Sequence, residues 1–365
     1  MFSENRQISK RQIRRLLIYD LFGIGTLLLP VFLTKFAGRD GIFCVFGAWL
    51  LLLCYLKFLE KMQRGVTQNY TIYLEQSVGK VFAKIFLMIY FVYCILLGAY
   101  ALFTATSVIQ RCLLKEESFW LILFFLCLLG AYGVYAGMEG RARVYELLFW
   151  FLMFPLFLML LFSMPQVNTE YWCPIFITGS KNMAQGIYLA VIFCGVLFLL
   201  PFLFGFARKK SQVVSAARQA LAFFSCMNVT VILILMGIFN ENALKKQHFP
   251  IITLMSMVDL PGGFLKRQDA FMVAIWFFTL YAFINTALFY SEYSLKAVCF
   301  RSKKFLPLAI CVILMYGIAG VFYRESGAVF WYYKFLWYVG TPAVILIPVI
   351  AYLFAERRRE NEKKK

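Results

Sequence analysis

The stretch YDLFGIGTLLLP, residues 19–30, sets an aspartate, two glycines and a proline inside an apolar run long enough to cross a membrane. Each of these weakens a spanning helix. An ionised aspartate costs roughly 2.5 to 3.5 kcal/mol at the centre of an inserted helix. Glycine admits backbone angles closed to other residues. Pro30 has no N–H, so the Thr26 carbonyl loses its usual partner. Irregular backbone at that depth survives only where protein or a water-filled cavity satisfies it. The stretch therefore reads as an unwound segment, Gly23, Ile24, Gly25 and Thr26, whose bare N–H and C=O groups face a small polar ligand. Small residues placed for close helix packing are the competing reading.

Working outward, the 365 residues are 62% apolar, 19% aromatic and only 15% charged, far from the composition of soluble domains. Apolar runs of about 20 residues, each sufficient for an about 30 Å hydrocarbon core, recur at residues 16–36, 41–59, 81–109, 119–136, 147–164, 187–206, 221–239, 271–290, 305–323 and 335–354. The expected protein is a single transmembrane domain, residues 1–365, of ten helices. No composition shift or long Gly/Ser linker divides it.

The formal charge of +19 is distributed by side rather than clustered for nucleic acid. With residues at the adjoining helix ends included, 26 of the 37 Lys and Arg fall on the segments before helix 1, after helix 10, and between helices 2 and 3, 4 and 5, 6 and 7, and 8 and 9. The positive-inside rule then puts both termini in the cytoplasm of a multi-pass cell-membrane protein, with residues 355–365 as a basic tail beside anionic headgroups. The ten cysteines show no C-x-x-C spacing and read as small apolar side chains. His248 is the only histidine, so no metal site, cofactor or enzyme chemistry is expected.

Two non-spanning stretches stand out. Residues 64–80 suggest a short amphipathic element. In the outer loop 240–270, Ile251, Leu254 and Met255 follow helical spacing behind Pro250. That loop reads as a lid over the bundle, with plain surface packing as the alternative.

Ten helices with both ends on one side can form two inverted halves of five, and the first helix of each half is then the place to look for a site. Helix 6, AVIFCGVLFLLPFLFGF at residues 190–206, carries Gly195, Pro201 and Gly205. Its interruptions match those of helix 1, so breaks are expected in both.

These residues carry a resemblance. ISKRQIRRLLIYDLFGIGTLLLP at the start, GMEGRARVYELLFWFLMFP with Gly137, Glu139, Arg143, Glu146 and Pro155, and FPIITLMSMVDLPGGFLKRQDAFMVAIW at the entry to helix 8 resemble the endospore germination permease family, a branch of the amino acid, polyamine and organocation transporters. Where that family often reads Glu-Arg-x-Glu, this chain has Lys266, Arg267, Gln268 and Asp269. The resemblance implies an all-α integral membrane fold like that of the leucine transporter, with an inverted five-helix repeat. It also implies a membrane subunit of a germinant receptor, working in the spore inner membrane with an A and a C subunit and sensing an amino acid or similar small nutrient. A proton- or sodium-coupled amino acid transporter is the alternative.

In such a fold the pocket is lined by helices 1, 3, 6 and 8. On helix 3, Tyr93, Leu97, Tyr100 and Thr104 share a face; on helix 8, Thr279, Phe283, Thr286 and Tyr290 do. With Cys194 and Gly195 at the helix 6 break, the candidate ligand-binding set is Gly23, Ile24, Gly25, Thr26, Tyr93, Leu97, Tyr100, Cys194, Gly195, Phe283 and Thr286. No Arg or Lys is expected near the breaks, so backbone groups would meet the ligand's charges. Asp20 reads either as an ion or proton site or as an acid paired with a nearby arginine. Glu146 with Arg141 and Arg143 reads as structural.

Overall fold

The computed structural model of the protein describes residues 7–66, 69–257, 268–299 and 305–363. The helices are α1 (Lys10–Ala37), α2 (Gly41–Met62), α3 (Tyr70–Val78), α4 (Lys80–Cys112), α5 (Phe119–Tyr135), α6 (Gly137–Ser163), α7 (Ser180–Phe193), α8 (Leu200–Leu203), α9 (Ser211–Lys246), α10 (Pro250–Met257), α11 (Gln268–Val298), α12 (Leu306–Arg324), α13 (Ser326–Phe335) and α14 (Thr341–Lys363). Among the described residues, six helical stretches are long and apolar enough to cross a membrane, and seven if α7 and the bent segment after it count as one span.

α1 is the axis of the molecule, packed by α9, α11, α7 and α6, while α4 lies along α11. Its start is fixed by a capping box. Ser9 N–H donates to Gln12 Oε1 at 2.9 Å, and Gln12 N–H donates to Ser9 Oγ at 3.3 Å, which satisfies two of the donors that a helix start leaves bare. Just before it, Ile8 bridges to the chain leaving the helix 6 region: Ile8 N–H donates to Phe206 O at 2.8 Å and Arg208 N–H to Ile8 O at 3.2 Å.

The helix 6 break is present. α7 ends at Phe193, residues Gly195–Leu199 form a 3-10 turn, and the chain bends by 54°. Pro201 sits in the first turn of α8, where no N–H is needed.

The expected break in helix 1 is absent, a correction to the sequence reading. α1 runs unbroken through residues 23–26 with Pro30 inside it. Its glycines serve contact instead: a Cβ on Gly23 would lie 2.8 Å from Phe283 Cβ and 2.9 Å from Thr279 O, and one on Gly25 would lie 2.9 Å from Phe224 Cζ. Pro30 removes one hydrogen bond, and its own carbonyl accepts from Thr34 Oγ1 at 2.7 Å. Neighbours enclosing α1 on all sides shield the remaining bonds from competition.

The two non-spanning stretches contain α3 and α10. Ile251, Leu254 and Met255 are buried, as their spacing predicts. The remainder of the lid stretch, residues 258–267 with Lys266 and Arg267, lies outside the described residues. All ten cysteines are free, and five are buried.

Candidate functional site

The bend at Phe193 to Gly195 opens a cavity of 30 Å³ beside the middle of α1. Ile24 of α1, Leu97 and Tyr100 of α4, Gly195 at the break and Phe283 of α11 line it, five of the eleven residues picked from the sequence. A space of that size holds about two waters and lies far below the roughly 300 Å³ at which small-molecule pockets begin.

Sequence reasoning missed the remaining walls: Ile192 and Phe193 at the end of α7, and Tyr332, Tyr333 and Leu336 at the end of α13. Tyr100 stacks on Tyr332 with centroids 4.5 Å apart and meets Tyr333 edge-on at 5.4 Å. The Tyr100 and Tyr333 hydroxyls hydrogen-bond each other. The run WYYKFLWY at residues 331–338 was the available signal, since so many aromatics together outweigh what a membrane anchor needs. The cavity is thus apolar and aromatic with one hydroxyl pair, and none of its lining residues is charged.

That hydroxyl pair makes a testable prediction. Tyr100→Phe or Tyr333→Phe leaves one buried hydroxyl without its partner and should cost about 1–3 kcal/mol, whereas removing both should cost less than the sum. Thermal unfolding of the two single variants and the double in detergent checks this. Strictly additive losses would show that the hydroxyls act independently.

The other expected residues go elsewhere. Tyr93 lies behind the break: a Cβ on Gly195 would come 2.3 Å from its hydroxyl, so the missing side chain at 195 is what admits the ring. Cys194 is 3% exposed at the end of α7. Thr26 accepts from Asn228 Nδ2 at 3.2 Å, tying α1 to α9. Gly23 and Gly25 face α11 and α9 respectively. Of the remaining stripe residues, Thr104 donates to Tyr100 O at 2.9 Å and Thr279 to Trp276 O at 2.7 Å, so both hydroxyls are spent on their own helices.

Thr286 is a turn away from the cavity, donating to Asp20 Oδ1 at 2.6 Å and accepting from Arg141 Nη2. Asp20 is wholly buried and Arg141 is 2% exposed. A cation therefore does sit deep in the bundle, contrary to the sequence reading. The reason is that α6 begins at Gly137, well before the apolar run at 147–164. Met138, Arg141, Ala142 and Tyr145 are all buried, and their helical spacing, i, i+3, i+4 and i+7, was a legible sign of an inward face. The expected grouping of Glu146 with Arg141 and Arg143 also dissolves. Glu146 pairs with Arg11 at 2.9 Å and Arg15 at 3.6 Å, and Arg143 pairs with Glu139 at 2.5 Å.

A profile of the family described as "Spore germination protein" matches residues 7–325. Among relatives from Bacillus subtilis (strain 168), spore germination protein YndE is 22% identical over 329 residues, 89% of this chain and 88% of its own. Spore germination protein B2 is 22% identical over 262 residues, 70% of each chain. Two solved structures share the fold at 13% identity. Mhp1, a nucleobase-cation-symport-1 family transporter in a closed conformation with bromovinylhydantoin bound, matches with a TM-score of 0.63 over 85% of this chain and 71% of that one. A Na+-coupled sialic acid symporter in a substrate-bound outward-open state matches with a TM-score of 0.65 over 92% and 77%. The expected class, an all-α integral membrane fold of the transporter kind, holds, and the chain is a multi-pass membrane protein.

Proposed function

The chain belongs to the spore germination protein family, and from that premise we propose that it is the nutrient-sensing membrane subunit of a spore germinant receptor. It would bind a small germinant of the amino acid kind in the cavity at the helix 6 break and pass the resulting conformational bias to A and C subunits. The observation that carries this reading is the cavity itself: it lies where a bent helix meets α1, α4, α11 and α13, with walls suited to a compact apolar side chain. With no charged wall, the ligand's ammonium and carboxylate would be met by backbone groups freed at the bend. The distribution of Lys and Arg supports cytoplasmic termini, and the family supports the spore inner membrane as the location.

Leu97→Phe tests the reading. Leu97 is 5% exposed and faces the cavity, so the larger ring fills the space the ligand must occupy. In the spore-forming host, with membrane abundance measured alongside, the nutrient concentration for half-maximal germination should rise about tenfold or more, equivalent to about 1.4 kcal/mol of lost binding. An unchanged response at normal abundance would remove the cavity from the reading. The two solved neighbours are symporters, so uptake is the competing activity. If partner-free protein in liposomes accumulates labelled amino acid in a sodium- or proton-dependent way, the transporter reading takes its place.

A further inference from the structure

Between the cavity and the end of the bundle where α1 begins lies a charged layer with no part in ligand contact. Asp20 comes from α1, Arg141 from α6 and Thr286 from α11, and the threonine hydroxyl joins the other two, donating to Asp20 Oδ1 and accepting from Arg141. The guanidinium also lies over the Phe289 ring, 5.4 Å from its centroid.

The spacing along α11 sets the order. Phe283 lines the cavity, Thr286 is about one turn on, and Phe289 a turn further lines a basin of 1000 Å³ with Glu139, Glu292 and Lys296. On α1, Asp20 precedes the cavity residue Ile24 by one turn. Cavity, charged layer, aromatic ring and basin are therefore stacked in that sequence.

The buried acid and the buried guanidinium are each costly alone, and the threonine hydroxyl is what joins them. Parting them requires hydrating both, and the basin with Glu139, Glu292 and Lys296 in its lining is the polar space on that side. Asp20 Oδ2 and Arg141 Nε and Nη1 have no hydrogen-bond partner among the described residues, so the dry arrangement leaves one acceptor and two donors unused.

We propose that Asp20, Thr286 and Arg141 form an ion latch that clamps α1, α6 and α11 together and seals the cavity from the basin. Arg141 is then a positioning residue, and Asp20 serves the latch, its counter-charge supplied by the chain's own guanidinium. The latch is independent of which nutrient binds.

The test uses full-length protein in membrane vesicles, with Ile192→Cys supplying the only cysteine and a charged, membrane-impermeant methanethiosulfonate applied to vesicles of either orientation. Ile192 is 6% exposed and lines the cavity, so a thiol there is protected from both faces when the latch is intact. Arg141→Met, which keeps the bulk and loses the charge, should raise modification about tenfold or more from the face bearing the basin and leave the opposite face unchanged. Thr286→Val removes only the bridging hydroxyl and should act in the same direction; it carries the test if Arg141→Met fails to accumulate. Continued protection of the thiol at position 192 in Thr286→Val at normal abundance would overturn the latch, as would equal gains from both faces. Because the readout involves no nutrient, a failure here is distinct from a failure of the sensing role.

Discussion

Gly23→Leu should sharply reduce the amount of folded protein in the membrane, and nutrient response should fall only in proportion. The glycine is where α1 and α11 touch, since the first side-chain atom added at 23 would stand 2.8 Å from Phe283 Cβ and 2.9 Å from Thr279 O. Neither atom can turn aside, because one is fixed to the backbone and the other belongs to it. Overpacking of this kind costs about 1–3 kcal/mol, and a leucine against backbone lies at or beyond the upper end. Leucine gains less in helix propensity over glycine than the about 0.8–1.0 kcal/mol that alanine does, which does not offset the clash. Gly317→Leu is the control: in α12, nothing lies within 4 Å of the added carbon, and levels should stay normal. The argument also makes a stricter demand. Phe283→Ala retains the Cβ, so it should not rescue Gly23→Ala; rescue would mean that ring packing, rather than backbone approach, requires the glycine.

Phe283→Ala alone should lower stability by about 3–5 kcal/mol, the usual range for deleting a buried aromatic ring. Phe283 is 6% exposed and separates the cavity from the level of Thr286. Its loss should therefore change selectivity as well as stability. At a temperature where enough folded protein remains, the response should shift from the native nutrient towards a bulkier apolar one. Unfolding in detergent and a nutrient panel in spores read the two effects separately. Lowered stability with an unchanged nutrient ranking would confine Phe283 to packing.

The contrast between the two proline-bearing helices shows what the sequence disclosed. Helix 6 breaks where Gly195 and Pro201 announce it, and the bend is itself buried, with Tyr93 filling the space beside the glycine. Helix 1 has the same letters in a similar order and stays continuous. There the deciding term is tertiary: the glycines are needed by Phe283 and Phe224, partners more than 190 positions away that no local reading supplies. Arg141 was hidden for a related reason. An apolar-run criterion begins the helix at the first long hydrophobic stretch, so a buried arginine in a polar first turn falls into an apparent loop. The tyrosines of α13 escaped because their role depends on which helix end meets the cavity, a matter of packing. By contrast, α10 was legible from three apolar residues and one proline, because its apolar spacing and its first-turn proline are local signals, even though burial of that face is what holds so short a helix.

The bridge at Ile8 has a mechanical consequence. Ile8 exchanges hydrogen bonds with Phe206 and Arg208 on one side, and immediately afterwards Ser9 begins α1 on the other. The foot of the axial helix and the exit from the bent one are thus pinned at a single point, like two levers on one pivot. Displacing either helix end therefore strains these two hydrogen bonds, so a shift of one end is felt first at the other.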